Sequence, residues 1–116
     1  MPATATSAYP LIIPGYSGSR PGIQIGTQLP ATASAADMQF ARQMGIEWVM
    51  TSVPAADASV ETYRAVVRHF ADGGLKVYRL ANHAVHNMEE VTLNLPGRDA
   101  KIAEYLAYIR MLGAAG

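Results

Sequence analysis

The sequence contains no cysteine. Disulfides, thiolate metal sites and cysteine nucleophiles are therefore excluded, and the composition fits a cytoplasmic protein. There is no net charge either, because nine basic residues balance nine acidic ones. A nucleic-acid module carries a clear basic excess, so that class is set aside. No apolar run approaches the roughly 18 residues that a membrane span requires. The opening segment has no basic stretch leading into a continuous apolar one, and does not read as a secretory signal. Several chemical signatures are missing too. Gly15-Tyr16-Ser17-Gly18 follows no strand, so it is no dinucleotide fingerprint, and no phosphate-cradling Gly-Lys-Ser/Thr loop or Gly-x-Ser-x-Gly elbow occurs.

What is present is apolar material. Half of the 116 residues are hydrophobic and only 16% are charged. That suffices for the core of one small domain and argues against global disorder. Residues 1–22 stand apart, being built from Ala, Thr, Ser, Pro and Gly around one apolar island, Leu11-Ile12-Ile13. Pro2, Pro10, Pro14 and Pro21 interrupt any regular element there. This segment is expected to be a flexible arm, the alternative being an arm docked through Tyr9, Leu11, Ile12 and Tyr16.

From Ile23 onward a regular pattern begins. Strands are expected at Ile23–Leu29, Ile46–Val53 and Leu75–Ala81, each rich in β-branched or aromatic residues. Pro30 and Pro54 close the first two. Ser34 with Asp37 reads as a capping box with a shorter acid, opening a helix whose face is Phe40, Ala41 and Met44. Asp57 or Ser59 caps a second helix with the stripe Val60, Tyr63, Val67 and Phe70. A third helix begins near Asp99 and carries Ile102, Tyr105, Leu106, Ile109 and Leu112 along one face. Two of the three strands follow a helix and a glycine: Gly45 precedes Ile46, and Gly74 precedes Leu75.

The order β-α-β-α-β-α predicts parallel strands joined by crossovers, an α/β fold. Three parallel strands alone leave two open edges, and a (β/α)₈ TIM barrel takes roughly 250 residues. Residues 23–116 therefore read as the first three βα units of an incomplete (β/α)₈ TIM barrel, with a further strand expected after Gly116.

In such a fold the functional groups lie in the loops after the strands. Gln28 follows the first strand and Thr51 ends the second. After the third comes the densest polar group of the chain: Asn82, His83, His86 and Asn87, then Glu89 and Glu90. Histidine transfers protons or binds metals near neutral pH, although His-x-x-His in a loop is a weak signal by itself. His69, beside Phe70 on the second helix, reads as a surface or helix-packing residue. Tyr105 and Tyr108 read as helix-packing residues, and Trp48 as core or helix–sheet interface.

Several stretches resemble the N-terminal part of mannonate dehydratase-like proteins. They are Ile25-Gly26-Thr27-Gln28-Leu29-Pro30, Phe40-Ala41-Arg42-Gln43-Met44-Gly45, Val85-His86-Asn87 and Asn94-Leu95-Pro96-Gly97-Arg98-Asp99-Ala100-Lys101-Ile102. The closing Tyr108–Gly116 segment resembles the family's third helix. The resemblance covers residues 23–116 and about the first third of the family's length. It implies a metal-dependent barrel of the xylose-isomerase-like type that removes water from D-mannonate, giving 2-keto-3-deoxy-D-gluconate. It also implies a divalent metal, Mn²⁺ or Fe²⁺, with ligands beyond residue 116 and none in this chain. His86 matches the histidine of the family's Val-His-Glu element, with Asn87 where the family has the acid. The roles expected are catalysis for His86 and substrate binding for Gln28, Thr51, Asn82 and His83.

The partner expected is a small-molecule sugar acid, and the full-length protein is expected to form a homo-oligomer. Neither nucleic acid nor membrane is expected. Two other readings stand beside the dehydratase. One is a sugar or sugar-phosphate isomerase or epimerase of the same barrel type. The other is a small βα module that binds a partner through its open edges.

Overall fold

The computed structural model describes residues 23–116, and the arm expected at residues 1–22 lies outside them. Three strands, β1 (Gly26–Gln28), β2 (Trp48–Ser52) and β3 (Lys76–Ala81), form one sheet in the order β1-β2-β3, with both pairings parallel. Helix α1 (Ala35–Gln43) connects β1 to β2, and α2 (Val60–Asp72) connects β2 to β3. A 3-10 turn at His83–Val85, a one-turn helix α3 (Glu89–Thr92) and the long helix α4 (Arg98–Ala115) follow β3. The architecture is thus mixed α/β, built from successive βα units on a parallel sheet. No helix of the described residues is long and apolar enough to cross a membrane.

Local sequence explains the helix boundaries. Ser34 accepts a hydrogen bond from the Asp37 backbone at 3.1 Å, and the Asp37 carboxylate accepts from the Ser34 backbone at 3.0 Å. This is the capping box expected. Of the two caps weighed for α2, Ser59 is the one used: its Oγ accepts from Thr62 N–H at 3.1 Å.

Both crossover helices stop in the same way. Gly45 N–H donates to Arg42 O and Ile46 N–H to Ala41 O; Gly74 N–H donates to Ala71 O and Leu75 N–H to Phe70 O. These are two Schellman motifs, and their glycines carry the required left-handed backbone at φ 76° and 79°. A third copy ends α3, where Asn94 at φ 54° takes the glycine's place.

The strands are shorter than the sequence pattern suggests. Ile46 and Leu75 belong to the helix-ending motifs, so β2 and β3 begin after them. In β1 only Gly26–Gln28 face partners on β2, and Ile23 and Ile25 are left exposed. Leu29 still donates its N–H to Met50 O.

The core lies between the sheet and the helices. Val49 and Thr51 point into it from one side of β2, with Val53 just beyond that strand and Leu75 just before β3. Tyr63, Val66 and Phe70 enter from α2, in place of the stripe through Val67, which is half-buried. From α1 the buried residues are Met38 and Ala41, not Phe40 and Met44, which are each 65% exposed. Phe40 lies about 100° around the helix from Ala41, beyond the edge of the face that α1 turns to the core. Contact at Met38 and Ala41 sets that face.

The face of α4 differs from expectation in the same way. Tyr108 is buried, and Met111, Leu112 and Ala115 pack against the core. Ile102, Tyr105, Leu106 and Ile109 stay exposed. The helix carries two apolar stripes, and docking on α2 uses the one through Tyr108. The rings of Tyr108 and Tyr63 meet edge to face at 6.0 Å, and Arg64 Nη2 donates to Ala114 O at 2.7 Å.

The opposite side of the sheet carries Gly26, Gln28, Trp48, Met50 and Lys76, all exposed or half-buried. There the Lys76 ammonium lies 5.3 Å from the Trp48 ring centroid, a cation–π contact. Trp48 is therefore half-buried on the more open sheet face. His69 is a packing residue: its Nε2 donates to Ala33 O at 2.8 Å, tying α2 to the loop before α1.

A candidate site at the end of strand β3

Parallel strands bring their C-terminal ends, and the loops that follow, to one edge of the sheet. At the end of β3 an open cavity of about 270 Å³ lies between that strand, the 3-10 turn and helix α4. Its polar walls are Arg79, Asn82, His83, His86, Tyr105 and Tyr108, and its apolar walls include Met50 and Val85. None of the lining residues is acidic.

The 3-10 turn sets the polar cluster. Asn82 has extended backbone, and its Oδ1 accepts from Ala84 N–H at 3.0 Å, capping the turn. That hydrogen bond leaves the two amide N–H donors of Asn82 for a ligand. The backbone N–H of His86 donates to His83 O at 3.4 Å, so both histidines emerge from the same turn. Their side chains are exposed and make no hydrogen bond to a described residue.

Tyr108 forms the floor on the α4 side. Its hydroxyl donates to Leu80 O and so pins α4 to β3. Burial pushes the Tyr108 phenol upward from its ordinary value, with Tyr63 and Tyr105 adding to the rise and the Arg79 charge opposing it. The phenol therefore stays protonated and serves as a donor. Tyr63 is pushed upward by burial as well, and its hydroxyl has no partner among the described residues.

The residues expected from sequence are only partly brought together. His86, His83 and Asn82 line the cavity. Gln28 does not: it is exposed on β1, opposite Met50 in register. Thr51 is 1% exposed, in phase with the core residues Val49 and Val53, and its hydroxyl has no partner among the described residues. The period-two alternation of a strand places it on the helix-covered side, away from Gln28.

Arg79, Tyr105 and Tyr108 were not among the expected site residues. Arg79 is one of two charges in the strand segment Leu75–Ala81, with Lys76, and nothing in the sequence pattern singles it out for the cavity. No local pattern signals the Tyr108–Leu80 contact, which joins residues far apart in sequence.

For the metal implied by the resemblance, the described residues offer no cluster of three or more His, Asp or Glu side chains. The two cavity histidines fall short of a ligand set, so these residues do not fit a metal site by themselves. No family model matches the chain, and neither a curated protein nor a solved structure matches it.

Proposed function

We propose that this chain is the N-terminal part of a (β/α)₈-type sugar-acid dehydratase resembling mannonate dehydratase, acting on D-mannonate or a close relative. The observation that carries this reading is the acid-free cavity at the C-terminal end of a parallel sheet, lined by two histidines, an arginine and an asparagine. Removing water from a sugar acid needs a base for the proton α to the carboxylate and an acid for the departing hydroxyl. His86 is the group assigned to proton transfer. Asn82 and His83 donate hydrogen bonds to substrate hydroxyls. The sequential β1-β2-β3 order is the order of neighbouring strands in a barrel.

The test is incubation of the intact protein with D-mannonate and Mn²⁺, following the 2-keto-3-deoxy acid by its carbonyl chemistry. Formation of that acid is the expected result. No such acid from D-mannonate, together with aldose–ketose interconversion when an aldose is supplied in a parallel incubation, would assign the isomerase reading instead.

A further inference from the structure

Strand β3 contains an irregularity at the point where it reaches the cavity. Val49 is opposite Val77, but the next residue, Met50, is opposite Arg79, so Tyr78 is an extra residue without a partner. Val77 and Leu80 consequently both pack against the core although three positions apart. In a regular strand, positions three apart point to opposite faces. The bulge therefore returns Leu80 to the helices and places Arg79 in the wall of the cavity. Bulges beside sites commonly re-aim a side chain in this way.

Arg79 has no ion pair with a described residue, and the cavity that it lines holds no carboxylate. The field there is set by the guanidinium, two histidines, phenol hydroxyls and an amide. An arginine is matched in shape and charge to a carboxylate, which it holds by two parallel hydrogen bonds.

We propose that Arg79 is the anchor for the substrate's carboxylate, binding it beside His83 and His86. This rests on the sugar-acid reading above but adds a residue and a polarity to it. With the carboxylate fixed at β3, the α-carbon and the hydroxyls extend toward the 3-10 turn that carries His86.

The experiment is a calorimetric titration of the intact protein, and of its Arg79→Gln and Arg79→Lys variants, with three probes. These are D-mannonate, D-mannitol (the uncharged polyol of the same length) and glycolate (a minimal hydroxy acid). Arg79 is exposed, so both variants are expected to fold, and an unchanged melting curve checks this. The expected result is a preference for D-mannonate over D-mannitol in the native protein. Arg79→Gln should lower D-mannonate affinity by at least ~10-fold without changing that for D-mannitol, and Arg79→Lys should restore part of the loss. If Arg79→Gln leaves the preference intact, the anchor is overturned while the sugar-acid reading survives. If D-mannonate binds no better than glycolate, and both depend on Arg79, the anchor stands and the sugar-acid reading fails. If no carboxylate binds to the native protein, the anchor is overturned.

Discussion

At the scale of single residues, the features that sequence announces clearly are those closed within a few positions. Ser34 and Asp37 are the example, since both partners of the capping box sit three residues apart. Hydrogen bonds from Ser34, first its side chain and then its backbone, hold the Asp37 carboxyl below its ordinary value of 3.8. A depressed carboxyl pKa favours the folded state above the unfolded value, and that contribution is lost as pH falls through the folded one. Acid titration of the wild type should therefore show a loss of α1 stability below pH 3.8 that Asp37→Asn lacks, read from amide exchange in α1. Ser34→Ala should cost about 1 kcal/mol, from the usual value of an N-cap. Gly74 is a second local case. Its φ of 79° is strained for any residue with a Cβ, and a Cβ there would also meet Arg42 Nε at 2.9 Å. Gly74→Ala should lower stability by about 1–2 kcal/mol in a denaturant melt, and an unchanged midpoint would show that the α2 end relaxes freely. Thr51 marks the limit of such reading. Its place at the C-terminal end of the second strand suggested a site residue, whereas its phase with Val49 and Val53 already put it in the core.

At the scale of elements, existence and type were legible while faces were not. All three strands and the three main helices were expected, and the repeated helix–glycine–strand rhythm turns out to be a repeated Schellman ending. Apolar periodicity, however, tells which residues share a face and not which face meets the core when a helix has two. Helix α4 shows this: the stripe through Ile102, Tyr105 and Leu106 is as regular as the one through Tyr108, Met111 and Ala115. The choice is made by a partner distant in the chain, the Tyr63 ring on α2, together with the Leu80 carbonyl that accepts from Tyr108. Tyr108→Phe keeps the ring contact and removes the donor, leaving a carbonyl without its partner. It should destabilise the protein by about 1–2 kcal/mol while leaving helix content unchanged by circular dichroism. Ile102→Ala, on the exposed stripe, should change stability by less than half of that. A larger loss at Ile102 than at Tyr108 would mean that α4 docks through the other face.

At the scale of the whole molecule, the parallel sheet gathers its polar cluster at one end, and this much follows from element order alone. His86, His83 and Asn82 were legible because they crowd a single loop after a strand. Arg79 was not, because its aim depends on a one-residue bulge in the pairing of β3 with β2, which sequence does not reveal. This division gives His86 a sharp test. Its imidazole is exposed and makes no hydrogen bond to a described residue, and only its backbone closes the 3-10 turn. Truncating the side chain removes no core contact, so the melting temperature of His86→Ala should equal that of the wild type. If the imidazole transfers a proton during dehydration, turnover of the intact protein should fall by at least ~100-fold, the usual size of a general acid–base contribution. A loop-capping histidine predicts the reverse: a lower melting temperature with nearly normal turnover per folded molecule. His83→Ala supplies the comparison from the same turn, because a hydrogen-bonding role raises KM more than it lowers kcat. Measured side by side, a kcat loss confined to His86 assigns it the proton, and equal kcat in His86→Ala and wild type removes it from the reaction.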